Sequence, residues 1–292
     1  MRKHQYSLRR GQINEQVMRL LFLLAACASI AAVALICVFL FASGIPAILE
    51  IGPAEFLLGV QWKPGNSLFG IFPMIVGSLY VTAGALVLGV PTAILTAVFL
   101  ARFCPRGLYR LFKPAVNLMA GIPSVVYGFF GLVVLVPAVR TVFGGNGNSI
   151  LTASVLLAMM ILPTIIGTAE AALRAVPDSY YEGSLALGAS HERSVFFAVL
   201  PAAKSGVTAG VILGVGRAIG ETMAVIMVAG NQPRIPDSIL KGVRTLTTNI
   251  VMDMGYASGL HREALIATGA VLFVFILIIN LLFSLVRRRM AG

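Results

Sequence analysis

"GVGRAIGETMAV", Gly214–Val225, is the stretch on which the reading of this chain turns. The run around it, from about Gly206 to Gly230, is apolar over a length that crosses a bilayer, for which about 20 residues suffice. Arg217 and Glu221 lie inside that run. With a helix starting at Gly206 and rising 1.5 Å per residue, Arg217 lies roughly 16 Å in, near the midplane. Glu221 follows one turn later on the same face. An unpaired charge at that depth costs at least ~2.5–3.5 kcal/mol, so such residues face a protein interior or a water-filled path.

Two readings follow. The pair could neutralise itself as a structural ion pair. Alternatively, Arg217 offers its planar fork of donors to an anion. Glu221 then accepts a hydrogen bond from a P–OH, which phosphate still carries near neutral pH and a fully ionised oxyanion lacks. The second reading is preferred, and Thr222 is placed with the pair on the substrate pathway.

The rest of the chain fits a membrane setting. Of 292 residues, 58% are hydrophobic and 11% charged, where a soluble domain carries about 25%. Mean hydropathy is +0.94. Apolar runs at about 18–43, 71–100, 115–137, 149–173, 206–230 and 263–286 predict six transmembrane helices, since lipid leaves backbone groups no other partner. The expectation is an all-α integral membrane protein: a cytoplasmic tail over 1–17 and a single transmembrane domain over 18–292. The first run is longer than the roughly 7–15 residues of a signal-peptide core, so it is read as a retained helix.

Lys and Arg cluster in the tail, at 102–113, at 174–204 and at 287–289, which places both termini in the cytoplasm of a cell whose inner membrane the chain spans. The net charge of +11 serves that orientation, and no basic run interleaved with aromatics points to nucleic acid. Cys27, Cys37 and Cys104 have no metal-ligand spacing, and His4, His191 and His261 are scattered, so no metal is expected. Two outer loops are long, about 44–70 and 231–262, and an amphipathic stretch near Leu246–Met254 lies at the interface or dips into it. Gly206, Gly210 and Gly214 form a small-residue row for close packing on a partner subunit or another helix of the chain. Glu170 and Arg174, at the cytoplasmic end of the fourth run, are read as a structural pair that snorkels outward.

Between the fourth and fifth runs lies "VPDSYYEGSLALGASHERSVFFAVLP", 176–201, too polar to span. Asp178 caps a first short helix, Gly188 stops it, and a second segment runs from His191 to Leu200–Pro201. This segment resembles the EAA loop of ABC-importer permeases. Glu182 matches the glutamate, Gly183 and Ser184 stand for the two alanines, and Gly188, Leu200 and Pro201 match the later positions. The resemblance implies a coupling helix, within 178–201, that docks on ATP-binding subunits.

Further stretches are similar to the permease of the bacterial high-affinity phosphate importer. They are "LGVQWKP" at 58–64, "AGIPSVVYGFFGLVVLVP" at 120–137, "LPTIIGTAEAALRAVP" at 162–177 and "GRAIGETMAV" at 216–225. The Gln-Trp and Gly-Glu-Thr-Met runs favour its C-type (PstC-type) subunit. The resemblance implies a type I importer permease fold. It also implies a homologous permease partner, ATP and Mg on separate ATPase subunits, an extracytoplasmic phosphate-binding protein, and a pathway past Arg217 and Glu221. None of the five lysines follows a glycine, so this chain has no phosphate loop of its own and is read as no enzyme. An ion-coupled secondary anion transporter, or an ABC permease for molybdate or sulfate, remains the alternative.

Overall fold

The computed structural model describes residues 2–291, and side chains over 15–285. Arg2, Lys3, Arg9, Arg10 and Arg287 to Arg289, part of the charge argument above, lie outside the described side chains.

Helix α1 (Arg2–Ile51) contains Pro46 and meets α2 (Pro53–Leu58) at Gly52, whose φ of 97° only glycine adopts readily. A two-stranded hairpin, β1 (Trp62–Lys63) and β2 (Leu68–Phe69), completes the first outer loop, pairing Trp62 with Phe69. Helix α3 (Phe72–Val98) ends in a π turn at Phe99–Phe103. Next come α4 (Arg106–Gly121), then α5 (Ser124–Phe130) and α6 (Val136–Phe143), joined by a π turn at Gly131–Leu135. Helix α7 (Ile150–Arg174) starts at Ser149, whose hydroxyl accepts from the Thr152 N–H, and contains Pro163.

The loop that follows α7 holds α8 (Asp178–Ala186), α9 (His191–Ser194), a π turn at Val195–Val199 and α10 (Leu200–Ala202). Then follow α11 (Lys204–Gly220), α12 (Met223–Val228), α13 (Leu246–Met254) and α14 (Gly259–Ala291).

Among the described residues, five helical stretches are long and apolar enough to cross a membrane: Glu15–Ile51, Phe72–Phe103, Ser124–Phe143, Ile150–Arg174 and Gly259–Leu285. A sixth is reached when His191–Ala202 and Lys204–Gly220, bent by 71°, count as one. Two expectations are corrected. The third crossing begins at Ser124, not near residue 115. Pro123 pushes Ile122 out of helical geometry (ψ 125°), and α4 before it is a separate amphipathic helix. The fifth crossing is not one helix: α11 stops at Gly220 and α12 resumes at Met223. The 17 residues of α11 rise about 26 Å, short of a ~30 Å hydrocarbon core.

Helices α3, α7 and α11 form the centre, where Leu156, Leu157, Ile161 and Ile165 of α7 are buried. The glycine row of α11 packs on α7, so its partner is a helix of this chain. A Cβ on Gly214 would lie 2.7 Å from Ile165 Cδ1, and one on Gly210 3.1 Å from Thr168 Cβ. Helix α1 pairs with α14, with Gly44 against Ala267, and otherwise presents apolar side chains outward, as a lipid-facing helix does.

Candidate functional site

Arg217 lies in the last turn of α11, half-buried. Its Nη1 donates to Thr164 Oγ1 of α7 at 3.5 Å, a long and weak bond. Glu221 is not on the same helical face, because the helix has ended; its own backbone is extended (φ −70°, ψ 128°). Its Oε1 accepts from the N–H groups of Thr222 at 3.2 Å and Ala224 at 3.1 Å. The carboxylate thus satisfies donors at the start of α12 that would otherwise lack partners in lipid. No ion pair joins it to Arg217 among the described residues, which removes the self-neutralised reading. Thr222 Oγ1 donates to the Gly220 carbonyl at 3.2 Å, holding the other side of the break. The guanidinium and Glu221 Oε2 therefore stand without strong protein partners, four positions apart in sequence and on half-exposed residues.

A helix reaches this break from outside. Helix α13 is capped by reciprocal bonds between Thr245 and Thr248, and Leu246, Thr247, Thr248, Asn249 and Asp253 are buried. The amphipathic stretch thus dips into the protein rather than lying on its surface. Thr247 Oγ1 donates to the Glu221 carbonyl at 3.2 Å, and the Leu246 N–H donates to Ser78 Oγ of α3 at 3.0 Å.

Asp253, at the outer end of α13, gathers the two long outer loops. Trp62 Nε1 donates to its Oδ2 at 2.9 Å and Tyr256 Oη to its Oδ1 at 2.8 Å. Arg244 and His261 each approach it to 3.5 Å. The Tyr256 phenol is pushed above its ordinary range by that bond to Asp253, since a phenolate there would face a carboxylate. Sequence reading quoted Trp62 only for resemblance and missed this cluster; its bonds join residues up to 191 positions apart.

On the opposite side, Glu170 of α7 is 2% exposed and does not snorkel, which corrects the sequence reading. It accepts from Tyr109 Oη at 2.9 Å, Lys113 Nζ at 2.8 Å and Arg174 Nε at 2.9 Å, fastening α4 to α7. Only Arg174 reaches outward, with its guanidinium 4.8 Å from the Tyr109 ring centre.

The loop at 178–201 is two short helices, as expected. Gly188 (φ 83°) stops α8, its N–H donating to Leu185 and that of Ala189 to Ser184, and Ser190 caps α9. Asp178 is not the cap: Pro177 takes that position, and Asp178 accepts from Arg102 at 3.3 Å. Glu192, at the start of α9, is held below the ordinary carboxylate range by its own backbone N–H and by Ser190. Val195 and Val199 bury one face of the loop against α3 and α7, while Tyr181 Oη and His191 Nδ1 meet at 2.7 Å. Glu182, Gly183, Gly188 and Pro201 are exposed; Ser184 and Leu200 are half-buried. Beside them Leu187 is 90% and Phe197 79% exposed, two side chains that no motif in the loop singles out.

The fold is that of type I ABC-importer permeases. The chain superimposes on a crystal structure of a bacterial ABC transporter that imports alginate with a TM-score of 0.64 at 16% identity, covering 92% of this chain and 96% of that one. For the inward-facing MetNI methionine ABC transporter the TM-score is 0.57 at 20% identity, covering 79% and 99%. Residues 89–292 match the family described as binding-protein-dependent transport system inner membrane component, and the chain belongs to that family. It is 37% identical over 284 residues to the probable ABC transporter permease protein YqgH of Bacillus subtilis, covering 94% of this chain and 92% of the relative. It is 34% identical over 265 residues to the phosphate transport system permease protein PstC of Mesorhizobium japonicum, covering 84% and 81%. The chain is thus a multi-pass transporter component of the inner membrane.

Proposed function

We propose that this chain is the PstC-type permease subunit of an ATP-driven phosphate importer, forming the pathway with a homologous permease. The observation that carries the reading is the broken fifth crossing, which leaves Arg217 without a carboxylate partner and Glu221 with one oxygen free. A cation attracts the oxyanion, and the free carboxylate oxygen accepts a hydrogen bond from the P–OH that phosphate retains. The identity to a protein described as a phosphate permease supports this substrate.

The other subunits follow from the same reading. ATP-binding subunits with Mg sit in the cytoplasm and engage 178–201, where Glu182, Leu187 and Phe197 project. A phosphate-binding protein delivers cargo to the outer loops, as a periplasmic protein accompanies the alginate transporter in its crystal structure. Both termini lie in the cytoplasm, and lipid surrounds α1. ATP-driven movement of α8 and α9 opens the route in turn to each side, and no covalent step falls to this chain.

The test is radiolabelled phosphate uptake by the reconstituted complex. Arg217→Gln is expected to stop uptake while the complex still assembles, and Arg217→Lys to retain part of it, because lysine keeps the charge without the fork. Uptake by Arg217→Gln at the unaltered rate refutes the reading.

A further inference from the structure

Five side-chain polar atoms among the described residues are buried without a hydrogen-bond partner: Arg102 Nε, Asn231 Oδ1, Gln232 Oε1, Asn249 Nδ2 and His261 Nε2; of these, Asn231 and Asn249 are joined through Arg244, and Gln232 follows Asn231 in the chain. Such atoms are scarce in native proteins and each costs about 1–3 kcal/mol unless something fills the gap. Their identities are fixed by the bonds their other ends make. Asn231 must turn its Nδ2 to the Ile226 carbonyl, at 2.6 Å, so Oδ1 is the unpaired end. Asn249 must turn its Oδ1 to Arg244 Nη1, at 3.1 Å, so Nδ2 is unpaired.

Arg244 joins Asn231 to Asn249. Its Nε donates to the Asn231 carbonyl at 3.1 Å and its side chain is 12% exposed. Its Nη2 has no partner among the described residues. Asn249 is 0% exposed. The corner thus holds a cation edge, an amide donor and two amide acceptors. It sits where α12 ends, and Thr247, three residues beyond Arg244, already touches the break that carries Glu221.

The geometry points to a second oxyanion station at this corner, outside Arg217, taking a partly protonated tetrahedral anion such as dihydrogen phosphate. This rests on the phosphate-import reading above. Arg244 Nη2 and Asn249 Nδ2 donate to the ionised oxygens, while Asn231 Oδ1 and Gln232 Oε1 accept from P–OH groups. A fully ionised anion would leave both acceptors unpaired, so the station selects in the same sense as Glu221. Asp253 offsets part of the Arg244 charge. That suits a transit site, which must hold an ion firmly enough to admit it and loosely enough to pass it on.

The test uses the whole complex in proteoliposomes with its loaded binding protein. Asn249→Asp retains the acceptor for Arg244 and replaces the donor with a charge; Gln232→Glu keeps the shape and adds a charge. Each is expected to lower phosphate uptake about tenfold or more, with ATP hydrolysis stimulated by the loaded binding protein staying within about twofold of wild type. Uptake at the wild-type rate in both variants, with Arg217→Gln still inactive, overturns the outer station and leaves the import reading standing. Uptake and hydrolysis that fall together with a lowered melting temperature overturn it as well, because the residues are then structural. A wild-type complex that moves no phosphate refutes both.

Discussion

Arg217 keeps its guanidinium available because Glu221 directs one carboxylate oxygen to the backbone of α12. The division of labour within that one carboxylate has a measurable consequence. In Glu221→Gln the amide oxygen still accepts from Thr222 and Ala224, so the break survives. The end that faced the pathway becomes a donor, which a fully ionised oxyanion welcomes. Competition by sulfate in the phosphate uptake assay should rise about tenfold; unaltered discrimination would remove the selecting role of Glu221. The charged positions were legible, since an arginine and a glutamate inside an apolar run stand out at once. Their relation was not. Gly220 was a weak hint of a break, Glu221 and Met223 are helix formers, and Thr247, which binds the Glu221 carbonyl, lies 26 residues further on.

At the scale of elements, close packing of α11 on α7 depends on side chains that are absent. A valine at Gly214 would push its Cβ to 2.7 Å from Ile165 Cδ1, and overpacking of this kind typically costs about 1–3 kcal/mol. Gly214→Val should therefore lower the melting temperature of the complex. Gly107→Ala, on exposed α4 with nothing within 4 Å, should leave it unchanged. Differential scanning fluorimetry in detergent separates the two. The glycine row was visible at four-residue spacing, but only the fold identifies α7 as its partner. The boundary of the third crossing was misplaced although Pro123 was in plain view. Hydropathy runs through Leu118 and Ile122 without a step, so it cannot separate an interfacial helix from the span that follows.

Across the whole molecule, the described core sits between two polar fasteners. Glu170 ties α4 to α7 on one side, and Asp253 ties the outer loops on the other. Beyond Glu170 the loop at 178–201 presents Leu187 and Phe197 to solvent. Glu182→Lys and Leu187→Asp should each weaken co-purification of the ATP-binding subunits and reduce uptake in proportion; full recovery of those subunits with both variants would place the docking surface elsewhere. The loop was legible because its turn chemistry is local: Gly188 and Ser190 act on residues within four positions. The outer corner was not, because hydropathy and spacing carry no trace of a bond between residues 62 and 253.

That bond gives the molecule a built-in optical probe. Trp62 is the single tryptophan of the chain, and its indole N–H is fixed to Asp253. Tryptophan emission from this polypeptide, excited beyond the tyrosine band, therefore originates at one point, on the clasp that Trp62 forms with Asp253. If that clasp loosens during a transport cycle, indole leaves an apolar surrounding for water, and the emission maximum moves to longer wavelength without any dye attached.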